Sequence, residues 1–193
     1  MGELHLIIGP MFSGKTTKLI QLSELFNNPL IINYALDKRY HNTLLSTHDG
    51  ITKHCIQTLM LKDISIISIE CFDAILINEG QFFPDLFEMV KEFVEIYHKK
   101  VYICGLDGDF NRNPFGDILN LIPLCDTIEK RTSRCVTCIN PALFTHRISS
   151  HREQVLIGVN EYIPLCRKCY NYPTSKADTE HRFPESYPLQ PTL

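Results

Sequence analysis

Residues 4–16 are Leu4-His5-Leu6-Ile7-Ile8-Gly9-Pro10-Met11-Phe12-Ser13-Gly14-Lys15-Thr16, an apolar run that leads through a glycine-bounded loop. Leu4 to Ile8 is a short, almost continuous apolar run that ends on a glycine, the pattern of a strand buried on both faces of a parallel sheet. Gly9-x-x-x-x-Gly14-Lys15-Thr16 matches the phosphate-loop pattern, in which backbone N–H groups cradle phosphates and the start of the next helix adds positive potential. Lys15 is placed to reach the β- and γ-phosphates, and Thr16 to ligate Mg²⁺. From Thr16 to Phe26, the residues Leu19, Leu22, Leu25 and Phe26 recur at helical spacing, and Asn27-Asn28-Pro29 stops the helix. Strand, loop and helix in this order predict a chain that binds a nucleoside triphosphate.

Outward from this unit, Leu30 to Asn33 reads as a second strand, followed from Asp37 to Gly50 by a polar stretch without clear periodicity. Phe72 to Ile77 is another apolar strand. Asp85 to Tyr97 carries Leu86, Met89, Val90, Phe93 and Ile96 as a helical stripe, and Val101 to Cys104 is a further strand. Strands alternating with helices predict an α/β fold, a parallel sheet with helices on both faces. From about Arg131 the texture changes to short runs without a long amphipathic helix. The expected division is a nucleotide-binding domain over 1–130, a small lobe over 131–170 and a mobile tail over 171–193, which carries Pro173, Pro184, Pro188 and Pro191.

The chain has 193 residues, 44% hydrophobic and 21% charged, which suits one core with a small appendage. Its formal net charge of −3 argues against a nucleic-acid partner. The first residues lack a basic region and read as a strand rather than a signal peptide. No stretch approaches the roughly 18 apolar residues of a membrane span, so no membrane partner is expected.

Cys135-x-x-Cys138 and Cys166-x-x-Cys169 form two knuckles whose thiolates can meet tetrahedrally on one Zn²⁺. Cys55, Cys71, Cys104 and Cys125 are scattered singly, so metal binding in a reducing compartment fits better than a disulfide framework. The 27 residues between Cys138 and Cys166 exceed the usual ribbon span of roughly 15–20, so a loop must bulge between the knuckles. Four protein ligands leave no open position, which makes the zinc structural.

In parallel sheets ligands bind beyond the carboxyl ends of the strands, where Phe72 to Ile77 delivers Asn78 and Glu79. Glu79 is either a general base for an acceptor hydroxyl or a solvated strand-end carboxylate. Asp37-Lys38-Arg39 follows the second strand, and Arg39 is a candidate to stabilise charge on the transferred phosphoryl group. Phe110 and Phe115, after the strand Val101 to Cys104, are candidate aromatic walls for a base, unless they belong to plain loops.

Together these segments resemble the zinc-containing thymidine kinases of the cellular and poxvirus type, over residues 3 to about 170. The resemblance is carried by residues 9–16, by Asp37-Lys38-Arg39-Tyr40, by Asn78-Glu79-Gly80-Gln81-Phe82-Phe83, by Leu106 to Gly116, by both cysteine pairs and by Tyr162 ahead of Cys166. It implies a RecA-like sheet, ATP and Mg²⁺ as cosubstrate and cofactor, and an enzyme that works as a homotetramer, with a dimer as the alternative; a cytoplasmic site is expected for a zinc-thiolate enzyme with no targeting segment. It also implies a zinc lobe whose lasso closes over thymidine, the main chain reading the base edge. The loop residues Gly9, Pro10, Met11, Phe12, Ser13, Gly14, Lys15 and Thr16 would hold ATP, together with Asp37, Lys38, Arg39, Asn78, Glu79, Gly80 and Gln81. Glu79 would be the base toward the 5′-hydroxyl, with Lys15 and Arg39 on the phosphoryl group. Phe110 would pack on the thymine, and Phe82, Phe115, Gln154, Val155, Leu156, Ile157, Gly158 and Tyr162 would border the nucleoside.

Two features depart from the family's pattern. Asn78 stands where Asp usually precedes the catalytic Glu, and an amide gives up a negative charge near Mg²⁺. Residues 157–162 are about one residue shorter than usual and hold one glycine where two are common. Two other readings stay open. Some nucleoside-monophosphate kinases carry a zinc lid, but inside the sheet rather than after it; a zinc-ribbon ATPase acting on DNA would need a basic stripe that this chain lacks.

Overall fold

The computed structural model describes residues 1–37, 44–46, 52–66, 69–156 and 161–172. Lys38, Arg39, Ile157, Gly158 and the expected tail from residue 173 lie outside them.

A six-stranded sheet forms the centre. Its strands are β1 (Glu3–Ile8), β2 (Pro29–Tyr34), β5 (Ile56–Thr58), β6 (Ala74–Ile77), β7 (Lys100–Gly105) and β8 (Thr127–Lys130), in the order β5-β2-β6-β7-β1-β8. Every pairing in it is parallel, with Leu4 beside Val101 and Ile77 beside Ile103. Helix α1 (Lys15–Ser23) lies on one face, its Leu19 and Ile20 packed on Ile7, Ile31, Leu76 and Cys104. Helix α2 (Leu86–Glu95) covers the other, with Leu86, Met89, Val90 and Phe93 packed on Leu4, Leu6, Ile75, Ile77 and Ile103. Alternate residues of one strand therefore serve different cores, which is why the central strands are apolar without alternation. Each fully buried side chain of this size contributes about 1.5–3 kcal/mol.

The α/β expectation is met, and the differences are local. Helix α1 ends at Ser23 rather than Phe26, leaving Leu25 72% exposed. The Asp73 carboxylate accepts from the backbone N–H of Asn27 (3.1 Å) and Asn28 (3.0 Å), turning the chain toward β6 before another helical turn can form. Strand β6 accordingly starts at Ala74, two residues after the apolar run begins. In the polar stretch, β3 (Leu44–Ser46) forms and pairs antiparallel with β4 (Thr52–His54), just beyond it. The edge strand β8 is exposed throughout and ends in Glu129 and Lys130, charges that discourage pairing with another chain.

Beyond β8 the strands are short. β9 (Ser133–Arg134) pairs with β10 (Pro141–Ala142), and β11 (Phe144–Arg147) with β12 (Tyr162–Leu165), which leads into α3 (Arg167–Asn171). Cys135, Ala142, Leu165 and Cys166 form their small core. No described helix is long and apolar enough to cross a membrane.

Candidate functional site

Because the sheet is parallel, the carboxyl ends of β1, β2, β6 and β7 open on one edge, and the loop after β1 wraps into α1 there. Gly9 has φ 150° and approaches the Arg131 carbonyl so closely that a Cβ would sit 2.5 Å from its oxygen. Phe12 (φ 61°) and Gly14 (φ 72°) are left-handed, turning the loop around the start of α1. Lys15 is buried, and its Nζ donates to the Pro10 carbonyl (2.7 Å) and the Ser13 hydroxyl (3.4 Å). The ammonium thus rests on the loop it would leave for a phosphate.

Three residues from much later in the chain bond the loop's backbone. The Met11 N–H donates to Thr145 Oγ1 (3.0 Å), Ser133 Oγ donates to the Phe12 carbonyl (2.9 Å), and Arg131 Nε donates to the Ser13 carbonyl (2.7 Å).

Beside the loop runs a buried polar chain. Thr16 Oγ1 donates to Asn78 Oδ1 (3.1 Å), the Cys104 thiol donates to the same oxygen (2.9 Å), and Asn78 Nδ2 donates to Asn33 Oδ1 (2.7 Å). The amide of Asn78 thereby turns its oxygen toward Thr16. Glu79 follows in the left-handed region (φ 56°, ψ 44°), a conformation costing about 1–3 kcal/mol for a residue with a side chain. Its Oε2 accepts from Gln81 Nε2 (2.6 Å), and Gln81 Oε1 accepts from the Leu106 N–H (2.9 Å). Gly105 makes this link feasible, since a Cβ there would lie 2.4 Å from Gln81 Oε1. One amide side chain so ties the carboxylate at the end of β6 to the end of β7. Asp37, the described residue of its segment, is buried with its N–H on the Tyr34 carbonyl (3.0 Å).

A cavity of about 300 Å³ adjoins Gln81 and is walled by Tyr34, Phe82, Phe83 and Phe115, with Gln154 and Val155 at its margin. Its volume is at the low end of small-ligand sites, about 300–1,000 Å³. Phe82 stacks on Tyr34 (5.2 Å) and meets Phe115 edge-on (5.4 Å).

Phe110 is placed differently, with the Arg147 guanidinium 3.9 Å above its ring centroid and its carbonyl accepting from Tyr170 Oη (2.5 Å). Arg147 is buried and organises residues 147–156. It donates to the carbonyls of His151 (3.1 Å), Glu153 and Gln154 (3.2 Å) and to the Tyr162 hydroxyl, which itself donates to the Leu156 carbonyl (3.0 Å). Gln154 Nε2 donates to the buried carboxylate of Asp109 (3.0 Å), latching this segment to the loop after β7.

The sulfurs of Cys135, Cys138, Cys166 and Cys169 lie within 4.8 Å of one another, with Cys138 3.5 Å from Cys166 and 3.4 Å from Cys169. Four thiolates around a tetrahedral Zn²⁺ at 2.3 Å stand about 3.8 Å apart, so the cluster fits that ion. A backbone hydrogen bond from Asn140, with further bonds from Cys169 and Cys166, lowers the Cys138 thiol, while burial and the neighbouring sulfurs raise that of Cys169, as in a group of thiols that shares protons.

The sequence profile of the thymidine kinase family matches residues 2–170. The chain belongs to the thymidine kinase family. It is similar to the cytosolic thymidine kinase of Bos taurus, 39% identical over 88% of this chain and 72% of that protein. It is also similar to the thymidine kinases of Yaba monkey tumor virus and of vaccinia virus (strain Western Reserve), each 41% identical over 88% of this chain. These matches cover 94% and 97% of the viral proteins.

Of the residues expected at a thymidine kinase site, the fold brings the loop 9–16, Asn78, Glu79, Gly80 and Gln81 to one edge, with Phe82 and Phe115 in the adjoining cavity. Among the segment 154–158, Gln154 and Val155 reach that cavity, while the Leu156 carbonyl is taken by Tyr162. Sequence reading gave no role to Asn33, Tyr34, Asp109, Arg131, Ser133, Thr145 or Arg147. Apart from Asp109, inside the segment Leu106 to Gly116, none sits in a motif, and Arg131 meets Ser13 across 118 positions, beyond any local pattern.

Proposed function

We propose that this chain transfers the γ-phosphoryl group of ATP to the 5′-hydroxyl of thymidine or deoxyuridine, giving the monophosphate. The observation that carries the reading is the link from Glu79 through Gln81 to the edge of an aromatic cavity, on the sheet edge that also holds the phosphate loop. Glu79 takes the proton of the 5′-hydroxyl as its oxygen attacks phosphorus. Lys15 exchanges the Pro10 carbonyl for β- and γ-phosphate oxygens, while the loop N–H groups and α1 hold the rest. Arg39, with Asp37 and Lys38 beside it, neutralises charge on the moving phosphoryl group. Thr16 and Asn78 would hold Mg²⁺, directly or through its water, and the bound ion would supply charge neutralisation.

Phe82 and Phe115 flank the base, Phe110 packs on it, and residues 154–158 with Tyr162 close over it. A small pyrimidine fits the space, and a purine meets unpaired polar groups and excluded volume. Zn²⁺ on the four cysteines holds the lobe over 131–170, which is too small to fold on its apolar core alone. The site of action is the cytoplasm and the assembly a homotetramer or dimer, both inferred from the family.

A radiolabelled phosphate-transfer assay over a panel of nucleosides and AMP, with ATP and Mg²⁺, tests the proposal. Labelled thymidine monophosphate is the expected product. Labelling of AMP alone, or ATP hydrolysis driven by single-stranded DNA without thymidine phosphorylation, overturns it.

Asn78→Asp is expected to lower the Mg²⁺ concentration for half-maximal rate about fivefold. One added charge acting through a bound water is worth about 1 kcal/mol. The Asn33 amide can turn to donate to the new carboxylate, because its Nδ2 makes only a 3.5 Å bond to the Tyr34 carbonyl. A Mg²⁺ titration unchanged in midpoint and plateau would remove Asn78 from the metal's surroundings.

A further inference from the structure

We propose that Arg131 and Ser133 are positioning residues for the triphosphate. They hold the phosphate loop from outside, so that the segment entering the four-cysteine lobe sets nucleotide affinity. The inference rests on the loop being the triphosphate site. In a planar trans peptide the C=O and N–H point in opposite directions, so fixing a carbonyl outward aims the next residue's N–H inward. The Phe12 carbonyl shares its peptide with the Ser13 N–H, and the Ser13 carbonyl shares its peptide with the Gly14 N–H. Ser133 and Arg131 donate to those two consecutive carbonyls at 2.9 and 2.7 Å. A donor on the carbonyl also polarises the peptide, making the opposite N–H a stronger donor.

Arg131 is anchored independently of the loop. Its N–H donates to the Ile8 carbonyl (2.8 Å), continuing the β1–β8 pairing, and its Nη1 is paired with Glu129 at 2.6 Å. Its guanidinium runs beside Gly14, where a Cβ would lie 3.5 Å from Nη2, so a positive charge stands next to the turn into α1. Phe12 has a left-handed backbone (φ 61°), which is costly for a residue with a side chain, and the Ser133 bond to its carbonyl helps to hold it. Ser133 opens β9, two residues before Cys135, so order in the cysteine lobe reaches the loop directly.

The test is equilibrium binding of a fluorescent ATP analogue, without acceptor, to the full chain and to Arg131→Leu and Ser133→Ala, followed by separate KM values for ATP and thymidine. Losing a charged donor is expected to weaken nucleotide binding about tenfold in Arg131→Leu, and losing a neutral one about fivefold in Ser133→Ala. The thymidine KM should stay within about twofold while the ATP KM follows the binding. Ser133→Ala removes one hydroxyl from a half-buried position on a short strand, so it keeps the test open if Arg131→Leu does not fold. Nucleotide affinity within twofold of the parent in folded Ser133→Ala, or a thymidine KM rising in step with that for ATP, overturns the proposal. A parent chain that bound no nucleotide would instead overturn the reading of the loop itself.

Discussion

Glu79→Gln is expected to lower the turnover of thymidine phosphorylation by about 10²- to 10⁴-fold, the range spanned by a positioned general base. ATP affinity should stay within about twofold, because glutamine keeps the size of the side chain and residues 9–16 are unchanged. The substitution preserves shape, since the new amide oxygen can still accept from Gln81 Nε2, which now sits 2.6 Å from the Glu79 carboxylate. What is lost is a group that can take a proton. The backbone supports this functional reading, because a non-glycine residue held left-handed at a strand end persists only where its surroundings demand it. Steady-state rates with saturating ATP and thymidine decide the matter. A kcat within tenfold of the parent would sink the base assignment and leave positioning by Lys15 and Arg39 as the source of catalysis.

Arg147→Met is expected to raise the KM for thymidine about a hundredfold while the KM for ATP changes less than threefold. Among the described residues Arg147 faces no carboxylate; its partners are the carbonyls of His151, Glu153 and Gln154, the Tyr162 hydroxyl and the Phe110 ring. Each charged hydrogen bond is worth about 1.5–3 kcal/mol and the ring contact about 0.5–2 kcal/mol, so a fraction of the total supplies the loss. Methionine keeps the length and apolar bulk, so the β11–β12 pairing survives while residues 148–156 lose their organiser. Limited proteolysis should find new cleavage in that segment. Equal increases in both KM values would show instead that Arg147 supports the fold at large, and an unchanged thymidine KM would detach the segment from the nucleoside.

The parts of the site legible in sequence are those whose chemistry depends on neighbours in the chain. The run Gly9 to Thr16 must be contiguous because consecutive N–H groups surround one phosphate, and each cysteine knuckle must be close-spaced because two thiolates share one ion. Asn78 and Glu79 could be placed because a buried apolar strand delivers whatever follows it to the sheet edge. Strand β8 went unread because its burial pattern carries no apolar signal, and the β3–β4 pair because its strands are only three residues each. The end of α1 is not legible in the sequence because the Asp73 carboxylate that captures Asn27 and Asn28 lies 45 residues or more away.

By itself, then, the sequence determined an α/β chain with a triphosphate loop, a strand-end glutamate and four cysteines spaced for one metal, all encoded by local spacing. Tertiary structure alone decided what holds these parts in place. Arg131 and Ser133 brace the loop across 118 and 121 positions, Gln81 ties Glu79 to β7, and Arg147, lying over the Phe110 ring, gathers the carbonyls of His151, Glu153 and Gln154. Such contacts leave no periodic trace, because a single donor meeting a single carbonyl needs only the right place in space, and the sheet, not the neighbouring residues, sets that place.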